Sequence, residues 1–408
     1  MIRAAAASQN SAMPAPKTGE RGSNQSGMRA YNERLVLSLV RQVGPLAKSQ
    51  ITQMTGLSAQ TVSVIMRALE ADGLLEKGAP VRGKVGQPSV PMNLRHDGAF
   101  FLGLKIGRRS IGLVLTDFLG RVVDRISHYG GYPSPDGVVH FTREAMAALL
   151  SKLPEDHRAR VAGLGIALPF QLWDWAGMVT AAPVEMEDWR NRDIAADLAG
   201  ICAFPVFLCN DASAACGAEL VFGDQDRPQD FLYFFVSYFV GGGLVLDNTL
   251  YTGKTGNAAA LGSLPVTALD GSLRQLVDVA SLVRLEQALV SAGGNRDEIW
   301  GSLSAWHLPA DLLDAWLDEA ANGLAQASLS ASCLIDFSCV LIDGSLPVAV
   351  RADLVERTSA RLAQLSLTGI ETPAVREGSV GSDARSLGAA SLPLSERFLV
   401  DRNAFLKG

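Results

Sequence analysis

The chain reads as an α/β protein: a small head of the winged helix–turn–helix type, followed by a larger body in which strands and helices alternate. Three observations predict this. The stretch Lys48–Gly73, KSQITQMTGLSAQTVSVIMRALEADG, has the pattern helix, tight turn, helix. Two short apolar runs with a Gly- and base-containing tip follow it, within residues 74–94. At Phe100 the apolar period changes from helical to strand-like, and strands then alternate with helices to the end of the chain.

A length of 408 residues allows two or three domains with sizeable cores. Hydrophobic residues make up 48% and charged residues 19%, which places the chain among globular proteins. No segment approaches the ~20 uninterrupted apolar residues of a membrane helix. The run Phe231–Val240 is shorter and reads as a buried strand. The N-terminus lacks the apolar core of a signal peptide, so the expected location is the cytoplasm, away from any membrane. Five cysteines (Cys202, Cys209, Cys216, Cys333, Cys339) form no CxxC pair and have no His at metal-ligand spacing. An odd number fits poorly with a disulfide framework, so they read as reduced, small apolar core residues.

Charge is unevenly spread. Residues 1–95 hold twelve basic and five acidic side chains, a net +7; against −6 for the whole chain, this leaves −13 on the rest. A basic head on an acidic body suits a DNA reader, because the head neutralises phosphates while the body is repelled from them.

In order, residues 1–27 are rich in Ala, Ser, Pro, Gly and Asn without an apolar period, and read as a disordered tail. Residues 28–95 form the head. Its first helix is expected over Arg29–Val43, with Leu35, Val36, Leu39, Val40 and Val43 inward and Gly44-Pro45 ending it. The second, about Lys48–Thr55, contributes Ile51 and Met54, and Leu57 plugs the corner. Gly56 supplies the backbone freedom of the turn, and Ser58 caps the third helix by accepting from a first-turn N–H. There Val62, Ile65, Met66 and Leu69 fall at i, i+3, i+4 and i+7 and face inward. Gln60, Ser63, Val64 and Arg67 form the opposite face, with Thr61 at its edge. Short polar groups and one Arg suit a major-groove floor, although an ordinary surface helix of a bundle has the same look. A strand Leu74–Glu76, a tip Gly78–Gly86 carrying Arg82 and Lys84, and a strand near Val90–Leu94 make the wing. Its two bases suit phosphate or minor-groove contact.

In the body, strands are expected at Phe100–Ile106, Ser110–Thr116 and Arg121–His128, joined as a meander. A helix Pro135–Leu153, a buried strand Val161–Leu168, a helix Arg192–Ala199 and a strand Val206–Cys209 lead into Asn210-Asp211 and a small-residue helix Ala212–Glu219. The strand Phe231–Phe239 opens a second lobe. A turn Gly241–Gly243, a strand Leu244–Asp247, a mostly helical region Leu273–Ser332, a strand region Leu334–Ile342 and a helix Arg351–Leu365 follow. A Gly/Ala-rich helix from about Leu387 closes the chain, kinked or split by Pro393.

The meander, the strand before Asn210-Asp211, the Gly-rich turn and the final SLGAA together resemble the ROK family of sugar kinases and sugar-responsive repressors. The head NERLVLSLVRQVGPLAKSQITQMTGLSAQTVSVIMRALEADGLLEK looks like the repressor heads, which the kinases lack. The resemblance runs from about Met28 to Ala390. It implies a two-lobed actin-like ATPase (ROK sugar-kinase-like) body over residues 96–408. Lobe one would cover about 98–220 plus a C-terminal helix 385–408, and lobe two about 221–384.

The chemical motifs of that body are eroded. Lys105 falls where the kinases have a metal-positioning Asp, and Ile106-Gly107-Arg108-Arg109 follows in place of a Gly-rich phosphate loop. Ser237-Tyr238-Phe239 replaces the second phosphate loop, and two bulky rings there would block a nucleotide. Ala260 and Ser263 stand for the family's Glu and zinc-binding His, and the cysteine loop is missing. Neither metal nor other cofactor is expected. A further family Glu falls at Val277, with Asp278 adjacent.

By this resemblance Asp211 matches the kinase base and Asn210 a sugar-binding residue. A carboxylate can hold sugar hydroxyls without catalysing anything, and the same pair could merely cap the following helix. Glu185 could supply a replacement hydrogen bond to an effector. So could Gln171, with Trp173 and Trp189 as a stacking surface, though each also fits an ordinary loop or core residue. The resemblance implies a sequence-specific transcription regulator, a repressor, with operator DNA and a sugar effector as partners, assembled as a homodimer or homotetramer. Two alternatives stand beside it: a body that has lost its ligand and serves as an oligomerisation platform, and a sugar kinase, against which Lys105 and Tyr238-Phe239 argue.

Overall fold

The structure is a computed structural model and describes residues 3–5, 24–80, 89–108, 110–130, 133–170, 188–301, 304–365 and 368–400. It divides into two compact units. One comprises Arg3–Ile166, Gln171–Leu208 and Ala389–Gly408; the other comprises Met1–Ile2, Ala167–Phe170 and Cys209–Gly388.

The chain begins with β1 (Arg3–Ala5), which pairs antiparallel with Val206–Leu208. Residues 3–5 of the expected tail thus lie in a strand. Main-chain pairing to an open strand edge needs no apolar period, so the composition gave no sign of it. The head's first helix, α1 (Asn24–Val43), also starts earlier than Arg29. Its buried residues are Val36, Leu37 and Val40, while Val43 is 44% exposed. Helices α2 (Lys48–Thr55) and α3 (Ala59–Ala71) follow. Ile51 is buried as expected, but Met54 sits on the outside. Strands β2 (Leu75–Lys77) and β3 (Met92–Leu94) pair antiparallel, and Leu46 bridges to Met92. Two paired strands therefore stand where those of the wing were expected, shifted by a residue or two.

The rest of this unit is a mixed sheet with helices. Its elements are β4 (Phe100–Ile106), β5 (Ser110–Thr116), β6 (Val122–Tyr129), α4 (Pro135–Ser151), α5 (Glu155–Arg158), β7 (Val161–Leu168), α6 (Ile194–Ala199) and β8 (Val206–Asn210). The strand order is β1-β8-β7-β4-β5-β6. The meander β4–β5–β6 is antiparallel with Leu102↔Leu115 and Leu113↔Ile126 in register. Strand β7 is buried along its whole length, which accounts for its unbroken apolar run.

The main segment of the second unit opens with α7 (Asp211–Phe222). Then come β9 (Phe231–Val236), β10 (Gly241–Leu246), β11 (Thr249–Leu250), the hairpin β12 (Pro265–Thr267) and β13 (Leu273–Gln275), α8 (Leu276–Ala280), α9 (Leu282–Ser291), α10 (Asp297–Trp300), α11 (Ala310–Ser332), β14 (Cys339–Gly344), α12 (Val348–Gln364) and β15 (Ala374–Glu377). The sheet order is β11-β10-β9-β14-β15, with β14 parallel to both neighbours. Gly241–Gly243 lie within β10 rather than in a turn. A Cβ at Gly243 would stand 2.4 Å from the Cβ of Cys216, so bare backbone there lets α7 lie close on the strand. Of the cysteines, Cys209, Cys216 and Cys339 are core residues as expected, but Cys333 is exposed.

The closing helix α13 (Ala384–Phe398) starts before Leu387 and runs through Pro393 without ending. Proline removes one helix hydrogen bond. Buried Leu392, Leu394 and Phe398 supply packing that carries the helix past it. The division between units falls inside α13, at Gly388–Ala389. No described helix is long and apolar enough to cross a membrane.

Candidate nucleic-acid interface and the Asn210–Asp211 site

The turn between α2 and α3 is built by local hydrogen bonds. Ala47 N donates to Gln50 Oε1 at 2.9 Å and closes the start of α2. Gly56 ends α2 in the left-handed region, φ 70°, and its N donates to Thr52 O. Ser58 Oγ accepts from Thr61 N at 3.1 Å and lies 2.8 Å from Thr61 Oγ1. The hydroxyls of Ser58 and Thr61 are thus engaged with each other at the helix entry.

Along α3 the two faces separate as the spacing requires. Val62, Ile65, Met66 and Leu69 are all buried. Gln60, Val64 and Arg67 are exposed, and Thr61 and Ser63 half-buried. Arg67 Nε donates to Ser63 O at 3.2 Å, so the guanidinium leans back along its own helix. An exposed strip of amide, hydroxyl, methyl and guanidinium groups results, on a helix whose other side is fixed in a core. Arg82 and Lys84, expected at the wing tip, lie outside the described residues, as do Glu185, Gln171 and Trp173.

At the second site, Asn210 Oδ1 accepts from Ala212 N at 3.0 Å and Ser213 N at 3.4 Å. Asn210 therefore caps α7. Asp211 Oδ2 lies 3.3 Å from Arg385 Nη1, with both side chains about five-sixths buried, at 16% and 15% exposure. Arg385 also donates through Nη2 to Ser237 Oγ at 3.2 Å, and its guanidinium carbon stands 5.1 Å from the Phe235 ring centre. One guanidinium thus bridges the residue matching the kinase base to the first residue matching the second phosphate loop. The rings of Tyr238 and Phe239 meet edge to face at 5.1 Å, and Tyr238 lies 6.0 Å from Trp300.

Other nominated residues have local roles. Asp278 accepts from Gln275 N at 3.3 Å and pairs with Arg284 at 2.7 Å. Trp189 is buried, with Nε1 donating to Pro133 O at 3.0 Å, so it is a core residue and not a stacking surface.

Sequence reasoning missed Arg385, because its partner Asp211 stands 174 residues away and no local pattern joins them. It also missed two buried carboxylates. Asp343, fully buried, pairs with Arg351 at 2.9 Å and accepts from Tyr233 Oη, Gly344 N and Gly381 N. Glu219 accepts from Ser379 N, Ser379 Oγ and Val380 N. Burial raises its pKa above the ordinary glutamate value despite those bonds. An isolated acid in an otherwise small-residue helix (DASAACGAELVF) was the available signal for Glu219.

Residues 101–276 match the family model described as the ROK family. That stretch is a ROK-family domain. Its sequence is similar to a xylose repressor of Bacillus spizizenii, 24% identical over 243 residues, which is 60% of this chain and 62% of that protein. The chain thus spans about three-fifths of that relative's length. In structure it resembles a ROK family transcriptional regulator, a homologue of the E. coli MLC protein: TM-score 0.64, 19% identity, 91% of this chain and 97% of that one. A ROK family glucokinase from Streptomyces griseus, solved with glucose and AMPPNP, matches with TM-score 0.55 and 23% identity over 72% of this chain and 99% of the enzyme. The fold behind the head is thus that of the ROK regulators and ROK sugar kinases alike.

Proposed function

We propose that this ROK protein is a sequence-specific DNA-binding transcriptional regulator, a repressor, acting in the cytoplasm as a homodimer or homotetramer. The observation that carries the reading is α3 itself: its apolar face is buried, and Gln60, Val64 and Arg67 stand outward on a capped helix behind a tight turn. Gln60 and Ser63 would read base edges, Val64 a thymine methyl and Arg67 a guanine or phosphate. Ser58 and Thr61, at the helix entry, and Arg82 and Lys84 would hold the backbone. The similarity to a xylose repressor supports the direction of regulation.

The body is proposed to bind a sugar or sugar derivative through Asn210, Asp211 and Glu185 without transferring phosphate. The Asp211–Arg385 pair supports the absence of phosphoryl transfer. A carboxylate acting as a base must reach a substrate hydroxyl, whereas Arg385 already occupies Asp211 and Ser237 together. The wild-type protein should retard a duplex chosen by repeated selection from a random pool, and a sugar from a pentose, hexose and amino-sugar panel should release it. Retention of no duplex would remove the regulator reading. Steady turnover of ATP with a hexose, lost in Asp211→Asn, would restore the kinase.

A further inference from the structure

The head and the first lobe belong to one compact unit, although only residues 95–99 join β3 to β4. A linker that short still permits rotation, because inter-domain motion is the default where few contacts cross. Two arginines cross here. Arg41, on α1 of the head, sends Nη2 to the carbonyl of Phe118 in the turn between β5 and β6, and its guanidinium carbon lies 5.3 Å from the centre of the Phe118 ring. Phe118 packs edge to face on Phe398 at 5.1 Å, and Phe398 on Phe101 at 5.9 Å. Beside this nest Val400 N donates to Ser38 Oγ of α1 at 3.0 Å. Enclosure in it pushes the Arg41 guanidinium down to about 10, against a smaller opposing pull from Asp117.

Arg160 comes from the body side, at the entry to β7. Its Nη1 donates to Asp72 O at 3.3 Å and Gly98 O at 3.1 Å. Asp72 is the C-terminal cap of α3, where helix carbonyls are left over and the helix dipole favours a cation. The body thus supplies the positive charge that finishes the candidate reading helix.

We propose that Arg41 and Arg160 are positioning residues for DNA recognition, clamping α1 and the C-terminal end of α3 to the first lobe so that the exposed face of α3 is presented in one orientation. The proposal rests on the DNA-binding reading for its purpose, and its test separates the two. Arg41 works as a half-buried anchor: its guanidinium lies over the Phe118 ring while its Nη2 holds the Phe118 carbonyl. Arg160 works as a bracket from the body to two backbone oxygens, one in the head at Asp72 and one within the linker at Gly98. A head so held has already lost the orientational freedom that a loose head would lose on binding.

The test uses the full chain carrying Met54→Cys as a dye site, because Met54 is 51% exposed, with the exposed Cys333→Ser. With both arginines intact, the dye's anisotropy decay should follow tumbling of the whole particle. In Arg41→Met/Arg160→Met a fast component on the nanosecond scale should appear. Affinity for the duplex selected by the wild type should fall by about tenfold. With Arg41 intact, Arg160→Lys, which can still reach one carbonyl, should keep most of the slow decay that Arg160→Met loses. An unchanged decay in the double variant overturns the clamp; so does a mobile head with undiminished affinity. If the wild type selects no duplex, the DNA reading fails while the decay still decides whether the arginines hold the head. Should the double variant not fold, Arg160→Met alone carries the same two readouts.

Discussion

Replacing Ser58 tests the helix entry on which the reading face depends. Its hydroxyl accepts from Thr61 N and no other acceptor for that N–H is seen at the turn among the described residues. Losing an N-cap of this kind costs roughly 1 kcal/mol. At 1.4 kcal/mol per tenfold, that is about a fivefold rise in opening of the first turn of α3. Amide hydrogen exchange is the direct assay: in Ser58→Ala the Thr61 amide should exchange about fivefold faster, with the buried amides of Ile65 and Met66 affected less. Ser58→Asp separates capping from DNA contact. Aspartate caps as well as serine, so exchange should stay near wild type, but its added negative charge beside phosphate should weaken duplex binding, most at low salt. If Ser58→Ala leaves the Thr61 amide as protected as before, the hydroxyl is not the cap and the local account of α3 is wrong.

Three further outcomes follow from other parts of the molecule. Gly243→Ala should destabilise by roughly 1–3 kcal/mol in thermal or urea melts, because the new methyl would stand 2.4 Å from the Cys216 Cβ and push α7 away from β10. A melt unchanged within error would mean that this approach is looser than described. For Glu219, burial raises the folded-state pKa above the ordinary value of 4.5, so its favourable contribution is full below that value and is lost as pH rises through the folded-state pKa. The stability of Glu219→Gln relative to wild type should therefore increase as pH climbs above about 4.5. Urea melts from acid to neutral pH check this, and a flat difference would refute it. Arg82→Ala should weaken all duplexes alike and flatten the salt dependence of binding by about one unit of slope; a change confined to one base position would assign Arg82 to base reading instead.

Much of the head was legible because its signals are local. The i, i+3, i+4, i+7 spacing of Val62, Ile65, Met66 and Leu69, the Ser58 cap and the Gly56 turn all act within a few residues. The α1 face was read less well. Leu37 took the buried place given to Val43, because which flank of a broad apolar stripe packs is decided by β3 and α3 and not by the helix alone. In the body the strands were found through apolar runs, but Gly241–Gly243 looked like a turn. The close approaches of Ala212 to Gly241, Leu261 to Gly242 and Cys216 to Gly243 explain glycine inside a strand. The β12–β13 hairpin and β15 are three or four residues long and mostly exposed, so they left no periodic trace. The second site was half legible. Asn210-Asp211 stood out, but the groups around them did not: Arg385 reaches Asp211, and Ser237 and Phe235 meet Arg385, only through the tertiary fold.

Duplex selection carried out side by side with the wild type and Gln60→Ala decides whether α3 reads DNA. Gln60 is exposed on α3, one turn before Val64 and two before Arg67, and a bidentate amide contact of this kind is worth roughly 1–3 kcal/mol of base discrimination. The wild type should enrich a defined sequence, and Gln60→Ala should enrich the same sequence with one or two positions relaxed and the others kept. Identical preferences from the two proteins, or no enriched sequence from the wild type, would contradict the account that the outward face of α3 reads DNA.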